Sequence, residues 1–298
     1  MNSISPFPDG FLKQKSKLTK ETCSGSWPRI SIVMPSFNQV QFIERSILSV
    51  INQEYPNLQF IIIDGGSTDG TVGIIEKYAD QVSFWVSEKD QGQSDALNKG
   101  FSLADGQIYG WLNSDDLYLP GAFFRAAIAL EEDKKKAVVF GDWLTIDGFD
   151  KLVDYNYAFN FNLNHFKYEG FHLNAQAMFW RSEAHRRFSG FDVDLHNTMD
   201  YQMILEFGVV EGSSSFLRIP YALGVFRRYE RQKTGRFTTR VLQEHVKMAK
   251  ENNYMDKYEM TGKTKGLYYR FRRAFWYFRR GGIDELIKRL RLAKLHVR

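Results

Sequence analysis

The sequence predicts an α/β protein built on an open, mostly parallel sheet, and three observations predict it. Short β-branched runs alternate with stretches of helical spacing. The run Leu58 to Asp64 (LQFIIID) is apolar without alternation, as in a strand covered by helices on both faces. Polar, glycine-containing segments fall directly after the strands, where such sheets place their ligands. In chain order, ISIVMPS is a strand ending in proline-serine, and Gln41 to Gln53 carries Phe42, Ile43, Ile47, Val50 and Ile51 at helical spacing. Tyr55-Pro56-Asn57 turns the chain into LQFIIID. GGSTDGTVGIIEKYA offers Ser and Thr caps to an amphipathic helix, and VSFWVSE is the third strand. A short helix over 94–104, the strand QIYGWL, a helix over 121–131 and the strand AVVFGDWLTI follow. Residues 155–172 read as an irregular excursion, and 200–210 as helical.

The chain has 298 residues, 43% hydrophobic and 25% charged, with no apolar run near the roughly 20 residues of a spanning helix. Its N-terminus does not read as a secretory signal, so a cytoplasmic protein is expected. A single cysteine, Cys23, rules out an intrachain disulfide and a cysteine-built zinc site. The net charge of +5 is uneven: residues 263–298 hold 12 Lys and Arg against Asp284 and Glu285, a net +10, which leaves −5 on the preceding 262 residues. The expected division is a flexible lead-in over 1–27, a catalytic domain over 28–240 and a basic, helical C-terminal region over 241–298.

The loops after Ile32, Ile63 and Leu112 all lie at carboxyl ends of strands and are expected to meet. Pro35-Ser36-Phe37-Asn38 offers a ring to stack on a base and a hydroxyl to bond it; the same residues also suit a capped helix start. Asp64-Gly65-Gly66-Ser67-Thr68-Asp69-Gly70-Thr71 joins an acid to exposed backbone, fit for ribose or base hydroxyls, or is a tight turn in which Asp69 and Thr71 cap the next helix. Asn113-Ser114-Asp115-Asp116 sets adjacent carboxylates after a buried strand, where their repulsion calls for a cation or for hydrogen-bond donors. Mg²⁺ or Mn²⁺ answers it economically, since either takes a few carboxylate oxygens and completes its shell with diphosphate oxygens. The competing reading is a capping pair on the helix after Pro120.

In order and spacing, ISIVMPSFN, IIIDGGSTDGT, DQGQSDALNKG, GWLNSDDLYLPG and GFD followed by MDY resemble glycosyltransferase family 2, over roughly residues 29–235. The resemblance implies the GT-A fold, a Rossmann-like mixed sheet flanked by helices, and inverting transfer from a nucleotide-sugar donor. It implies donor-binding roles for Pro35, Ser36, Phe37, Asp64, Gly66, Ser67, Asp95, Asn113 and Asp115. Asp115 and Asp116 would hold the metal, and Asp200 would take the proton of the acceptor hydroxyl. His172 and Gln176 fall on the acceptor side, or else in the core. Three positions depart from the family pattern: Gly65, where many members carry a second acid at the nucleobase; Asn113, where the longer acidic motif starts; and Phe226-Arg227-Arg228-Tyr229, where relatives often place a histidine. Arg227, Arg228 or Lys233 would then neutralise the diphosphate, since guanidinium binds phosphate oxygens as a fork.

The tail GLYYRFRRAFWYFRR interleaves aromatics with arginines, and IDELIKRLRLAKLHV repeats leucine at helical spacing. Both stretches are amphipathic and fit an anionic membrane surface or a helical hairpin packed on the domain; no nucleic-acid module accompanies them. The expected donor is a UDP-, GDP- or dTDP-sugar and the acceptor a sugar or lipid-linked sugar, in polysaccharide or glycolipid assembly at the inner face of a membrane. The alternatives are a non-catalytic nucleotide-sugar-binding protein and a nucleotidyltransferase, whose usual glycine-rich, lysine-containing first loop is absent.

Overall fold

The computed structural model describes residues 26–170, 173–230, 232–233 and 239–295. Its centre is a nine-stranded mixed sheet. Strands β1 (Ile30–Ser36), β2 (Leu58–Asp64), β3 (Phe84–Ser87) and β4 (Ile108–Trp111) alternate with helices α1 (Ile43–Ile51), α2 (Thr71–Lys77) and α3 (Gln93–Ser102). After β5 (Leu117–Tyr118) come α4 (Ala122–Glu132), β6 (Val138–Asp147), β7 (Leu152–Asn156), α5 (Leu163–Glu169), β8 (Met178–Arg181), α6 (Ser182–Arg186), α7 (Met199–Val210) and β9 (Phe216–Arg228). Helices α8 (Thr239–Glu251) and α9 (Met260–Leu295) end the chain, α9 broken at Gly281 and Gly282.

The sheet order is β3-β2-β1-β4-β8-β6-β9-β5, with β7 on β6. The first four strands run parallel, as expected. Strand β8 enters antiparallel between β4 and β6, which makes the sheet mixed. Side chains of β1 and β2 sort by parity, since successive residues of a strand point to opposite faces. Ile30, Ile32, Met34, Phe60 and Ile62 pack with Ile43, Ile47 and Val50 of α1 and with Phe123 and Leu130 of α4. Val33, Ile61 and Ile63 face Leu97 and Phe101 of α3 and the residues of α7. Burial on both faces is why these strands carry no polar alternation. Gly100 lets α3 lie against β1, because a Cβ there would come within 2.3 Å of Val33 Cγ1.

Three elements depart from expectation. The excursion over 155–172 contains the end of β7 and all of α5. The packing does not stop at residue 240: Met248 and Ala249 of α8, and Tyr254 beyond it, join the core that holds α7. Trp27, assigned to the lead-in, is buried edge-on against Tyr55 and Phe124. The rest of that lead-in, residues 1–25 with Cys23, lies outside the described residues.

Candidate active site

Strands β1, β2 and β4 end side by side, so their three loops share one rim. The first two are laced together. Asn38, in the left-handed region at φ 51°, donates its backbone N–H to Ser67 Oγ (2.7 Å) and accepts from the Thr68 N–H (3.0 Å). The Gln39 N–H donates to Thr71 Oγ1 and the Val40 N–H to Asp69 Oδ2. Asp69 Oδ1 also receives the Thr71 N–H and hydroxyl, so Asp69 and Thr71 brace the loop as well as start α2. Asp64 is fully buried and saturated by the Gly66 and Ser67 N–H groups and the Ser67 and Ser87 hydroxyls. Gly66, at φ 82°, supplies the positive angle that this wrap requires. Asp64 therefore builds the loop, leaving its backbone and Ser67 at the rim. Ser36 Oγ, by contrast, is buried with no hydrogen-bond partner, and the neighbouring Phe37 ring is 60% exposed.

The third loop is held from behind. Asn113 Oδ1 accepts from Trp111 Nε1 and Gln93 Nε2, both at 2.7 Å, and its amide donates to Asp116 Oδ2 at 3.1 Å. Asp116 is fully buried; it also accepts the Gln176 amide and the Arg227 backbone N–H (2.8 Å). Burial first, and then the charge of Asp115, push its carboxyl well above the usual carboxylate range. Asp115 is buried as well, at 8% exposure, with Oδ2 receiving the Tyr229 hydroxyl at 3.0 Å. Burial raises its pKa too, opposed first by that hydrogen bond. Tyr229 stands where a family histidine was expected; its own pKa is raised, by burial and then by Asp115.

Arg227 and Gln176 both brace the third loop, Gln176 in the interior placement that was the alternative to the acceptor side. Arg227, expected at the diphosphate, is completely buried: Nε donates to the Asp115 carbonyl (2.8 Å), Nη1 pairs with Asp150, and the guanidinium lies 4.5 Å from the Phe42 ring centre. Its Nη2 is buried with no hydrogen-bond partner among the described residues. Gln176, expected on the acceptor side, gives its amide to Asp116 because Gly224 lets β9 close on it; a Cβ there would meet the Gln176 carbonyl at 2.2 Å. His172 lies outside the described residues. Arg228 is exposed at the end of β9.

Asp200 occupies the first turn of α7 and accepts the Tyr201 N–H at 2.8 Å. Desolvation raises its pKa to about 6, with Lys233 opposing. Burial in turn lowers Lys233, against the charges of Glu244 and Asp200. Sequence reasoning missed what holds this turn: Glu244 of α8 receives the His196 N–H (3.0 Å), the Asn197 N–H (3.1 Å) and the Thr198 hydroxyl (2.9 Å), the three residues leading into α7. The available signal was an acid on the inward stripe of α8 beside Met248 and Ala249. It also missed Asp90, raised by desolvation, whose carboxylate fills the space a Cβ at Gly65 would enter. Asp95 caps the Gln91 N–H and pairs with Lys99.

A mixed α/β sheet flanked by helices, with three polar loops at the carboxyl ends of its strands, has GT-A architecture, and solved structures of that architecture share the fold. S. aureus TarS 1–349 in complex with UDP-GlcNAc superposes at a TM-score of 0.56 with 15% identity, over 71% of this chain and 62% of that one. The mannosyltransferase PcManGT from Pyrobaculum calidifontis, in complex with GDP-Man and Mn²⁺, does so at 0.56 with 15% identity, over 94% and 86%. The model of glycosyl transferase family 2 matches residues 31–191, more than half of the chain, and this protein belongs to that family. An uncharacterized glycosyltransferase of Mycobacterium tuberculosis (strain ATCC 25618 / H37Rv) is 30% identical over 62% of this chain and 71% of its own. One of Rickettsia typhi is 31% identical over 40% of this chain, which spans 38% of that relative. Asp200, Arg227, Tyr229 and Glu244 all lie beyond the matched segment. Among the described residues no helix is long and apolar enough to cross a membrane.

Proposed function

We propose that this protein moves a glycosyl group from a nucleoside diphosphate sugar to an acceptor hydroxyl with inversion, Asp200 taking the proton. The observation that carries the reading is the division of labour between Asp115 and Asp116. Asp116 is completely buried and saturated by Gln176, Asn113 and Arg227, while Asp115 keeps 8% exposure and meets the side chains of Tyr229 and Gln232. A carboxylate so placed fits a hard divalent cation, which takes one or two carboxylates and fills its shell with phosphate oxygens and water. Asp115 is thus assigned the Mn²⁺ or Mg²⁺, and Asp116 the support of the loop. When bound, the cation offsets charge on the leaving diphosphate.

The protein's own groups do the rest. Phe37 offers its face to the base, and Ser36 Oγ, buried without a partner, is the hydroxyl a bound nucleotide would satisfy. Lys233, whose charge acts on Asp200, and the exposed Arg228 are the candidates to meet the diphosphate. Asp200, at about 6, is ionised at neutral pH yet basic enough to accept a proton as the acceptor oxygen attacks the anomeric carbon. Attack opposite the leaving group inverts that carbon without a protein nucleophile.

The UDP-GlcNAc and GDP-Man of the two solved relatives support a UDP- or GDP-sugar donor. The charged C-terminal helix supports a lipid-linked acceptor in polysaccharide or glycolipid assembly, at the cytoplasmic face of a membrane. Thermal melting with UDP-, GDP- and dTDP-sugars, each with and without Mn²⁺, tests the proposal. One donor should raise the melting temperature of wild type and of Asp116→Asn in a metal-dependent way, and of Asp115→Ala not at all. Equal metal-dependent stabilisation of Asp115→Ala would remove the assignment.

A further inference from the structure

The first segment of α9, residues 260–280, is docked along one side only. Tyr269 stacks on His165 of α5, Trp276 lies against Tyr157 and Phe159, Arg273 pairs with Glu169, and Lys265 pairs with Asp256 at 2.6 Å. The other side carries an unusual load of apolar surface: Met260 is 78% exposed, Leu267 53%, Phe271 67%, Phe275 61% and Phe278 47%. At about 3.6 residues per turn these fall, with Tyr268, within one arc of about 100° opposite the docked residues. Lys263 and Arg270 border the arc on one side and Arg272 and Arg279 on the other. All four are exposed, and none has an ion pair with a described carboxylate. Residues 260–280 hold seven Lys and Arg and no Asp or Glu. Beside the stripe two clefts open on the seam with α5. One, of about 390 Å³, is lined by Asn164, Lys265 and Tyr268 among others; the second, of about 170 Å³, by Asn160, Asn162 and Arg272.

We infer that this face of α9 docks on an anionic lipid bilayer, with Leu267, Phe271, Phe275 and Phe278 in the acyl boundary and phospholipid phosphates against Arg270, Arg272 and Arg279. A helix lying in the interface plane needs this cross-section: apolar centre, cationic shoulders, and a back fixed to the protein. The clefts, with Lys265 in one and Arg272 in the other, give headgroups a place next to the stripe. A second copy of the chain fits worse, since a two-fold contact through the stripe would set the arginine shoulders of one copy against those of the other. The inference rests on the proposed lipid-linked setting but not on the chemistry of the transfer.

Sedimentation of the full chain with phosphatidylcholine vesicles, with and without one-quarter phosphatidylglycerol, tests it. Wild type should partition roughly tenfold or more in favour of the anionic vesicles, and added salt should weaken the effect, because each basic group near such a surface contributes on the order of 1 kcal/mol. Phe271→Ser with Phe275→Ser should cut partition by at least roughly tenfold, as two phenyl rings leave the acyl boundary. Arg272→Gln with Arg279→Gln should erase much of the preference for phosphatidylglycerol. These positions are exposed, so unchanged melting curves exclude misfolding as the cause. Equal partition onto both vesicles, or full binding by the phenylalanine variant, overturns the inference. So does a dimer in light scattering that this variant dissolves, which would assign the stripe to a second copy. Donor hydrolysis measured on the same samples keeps the readings apart: vesicle binding without turnover sinks the transferase proposal alone, and turnover without vesicle binding sinks this one alone.

Discussion

Asp64 and Asp116 are both fully buried carboxylates at the carboxyl edge of the sheet, and they are satisfied in opposite ways. Asp64 draws on Gly66 and Ser67 of its own loop and on Ser87 of the adjoining strand. Asp116 draws one donor from its own loop, Asn113, and two from far along the chain, Gln176 and Arg227. The first loop is therefore a local structure that the parallel half of the sheet makes for itself. The second exists only once β8 and β9 are in place behind it. Asp200 belongs with the second kind, since its turn is held by Glu244 from α8.

The sharpest way to break this comparison is at Asp200. Asp200→Asn should lower transfer by roughly 10²–10⁴-fold, the usual contribution of a positioned base, and remove the rise in rate centred near pH 6. The sign for stability is opposite. A carboxyl raised from 3.8 to about 6 binds its proton more tightly in the folded state, so its contribution is present below about pH 4 and is lost as pH rises through 6. The asparagine variant should then be more stable than wild type at pH 8, by on the order of 2 kcal/mol, with the advantage gone near pH 4. Melting curves across pH measure it, and no gain at pH 8 would mean that the carboxylate is not desolvated.

Glu244→Gln sharpens the claim that distant residues hold the base. Both carboxylate oxygens accept a backbone N–H, so glutamine keeps one oxygen for its donors and sets an NH2 against the other N–H; about 1–3 kcal/mol of stability should go and kcat should fall with KM for donor little changed. A purely structural Glu244 would leave the pH profile of kcat where it was; a positioning one should move it. Tyr229→Phe asks the same of Asp115. It deletes one hydroxyl at 3.0 Å, and apparent metal affinity should weaken by roughly 10–100-fold while the melting temperature without metal barely moves. The smallest effect on chemistry should come from the locally built half. Gly100→Ala drives a methyl toward Val33 at 2.3 Å and should cost about 1–3 kcal/mol in denaturant unfolding without altering donor preference.

Much of the site was legible because it is local. The strands β1, β2 and β4, the loops that follow them and the acid opening α7 all announce themselves in short windows, since burial on both faces writes an apolar run and a strand end writes a polar cluster. The resemblance to glycosyltransferase family 2 rested on those windows, and the family match covers the same stretch. Roles were less legible than positions. Arg227 was expected at the diphosphate and Gln176 on the acceptor side or in the core, and each instead braces the third loop, because which way a side chain on β9 or before β8 faces depends on the neighbours the sheet order gives it.

What the sequence determined by itself was therefore the alternating α/β order, the three polar strand ends, the candidate base Asp200 and the cationic amphipathic tail. These are properties of periodicity and of contiguous residues. The tertiary structure decided that β8 and β9 close the sheet, that Asp116 is sealed by Gln176 and Arg227 while Asp115 meets Tyr229, and that Glu244 grips the approach to Asp200. It also decided which face of α9 is covered by α5 and which displays its phenylalanines. Each of these depends on contacts between segments tens of residues apart, and no local pattern of charge or hydrophobicity specifies its partner at that distance.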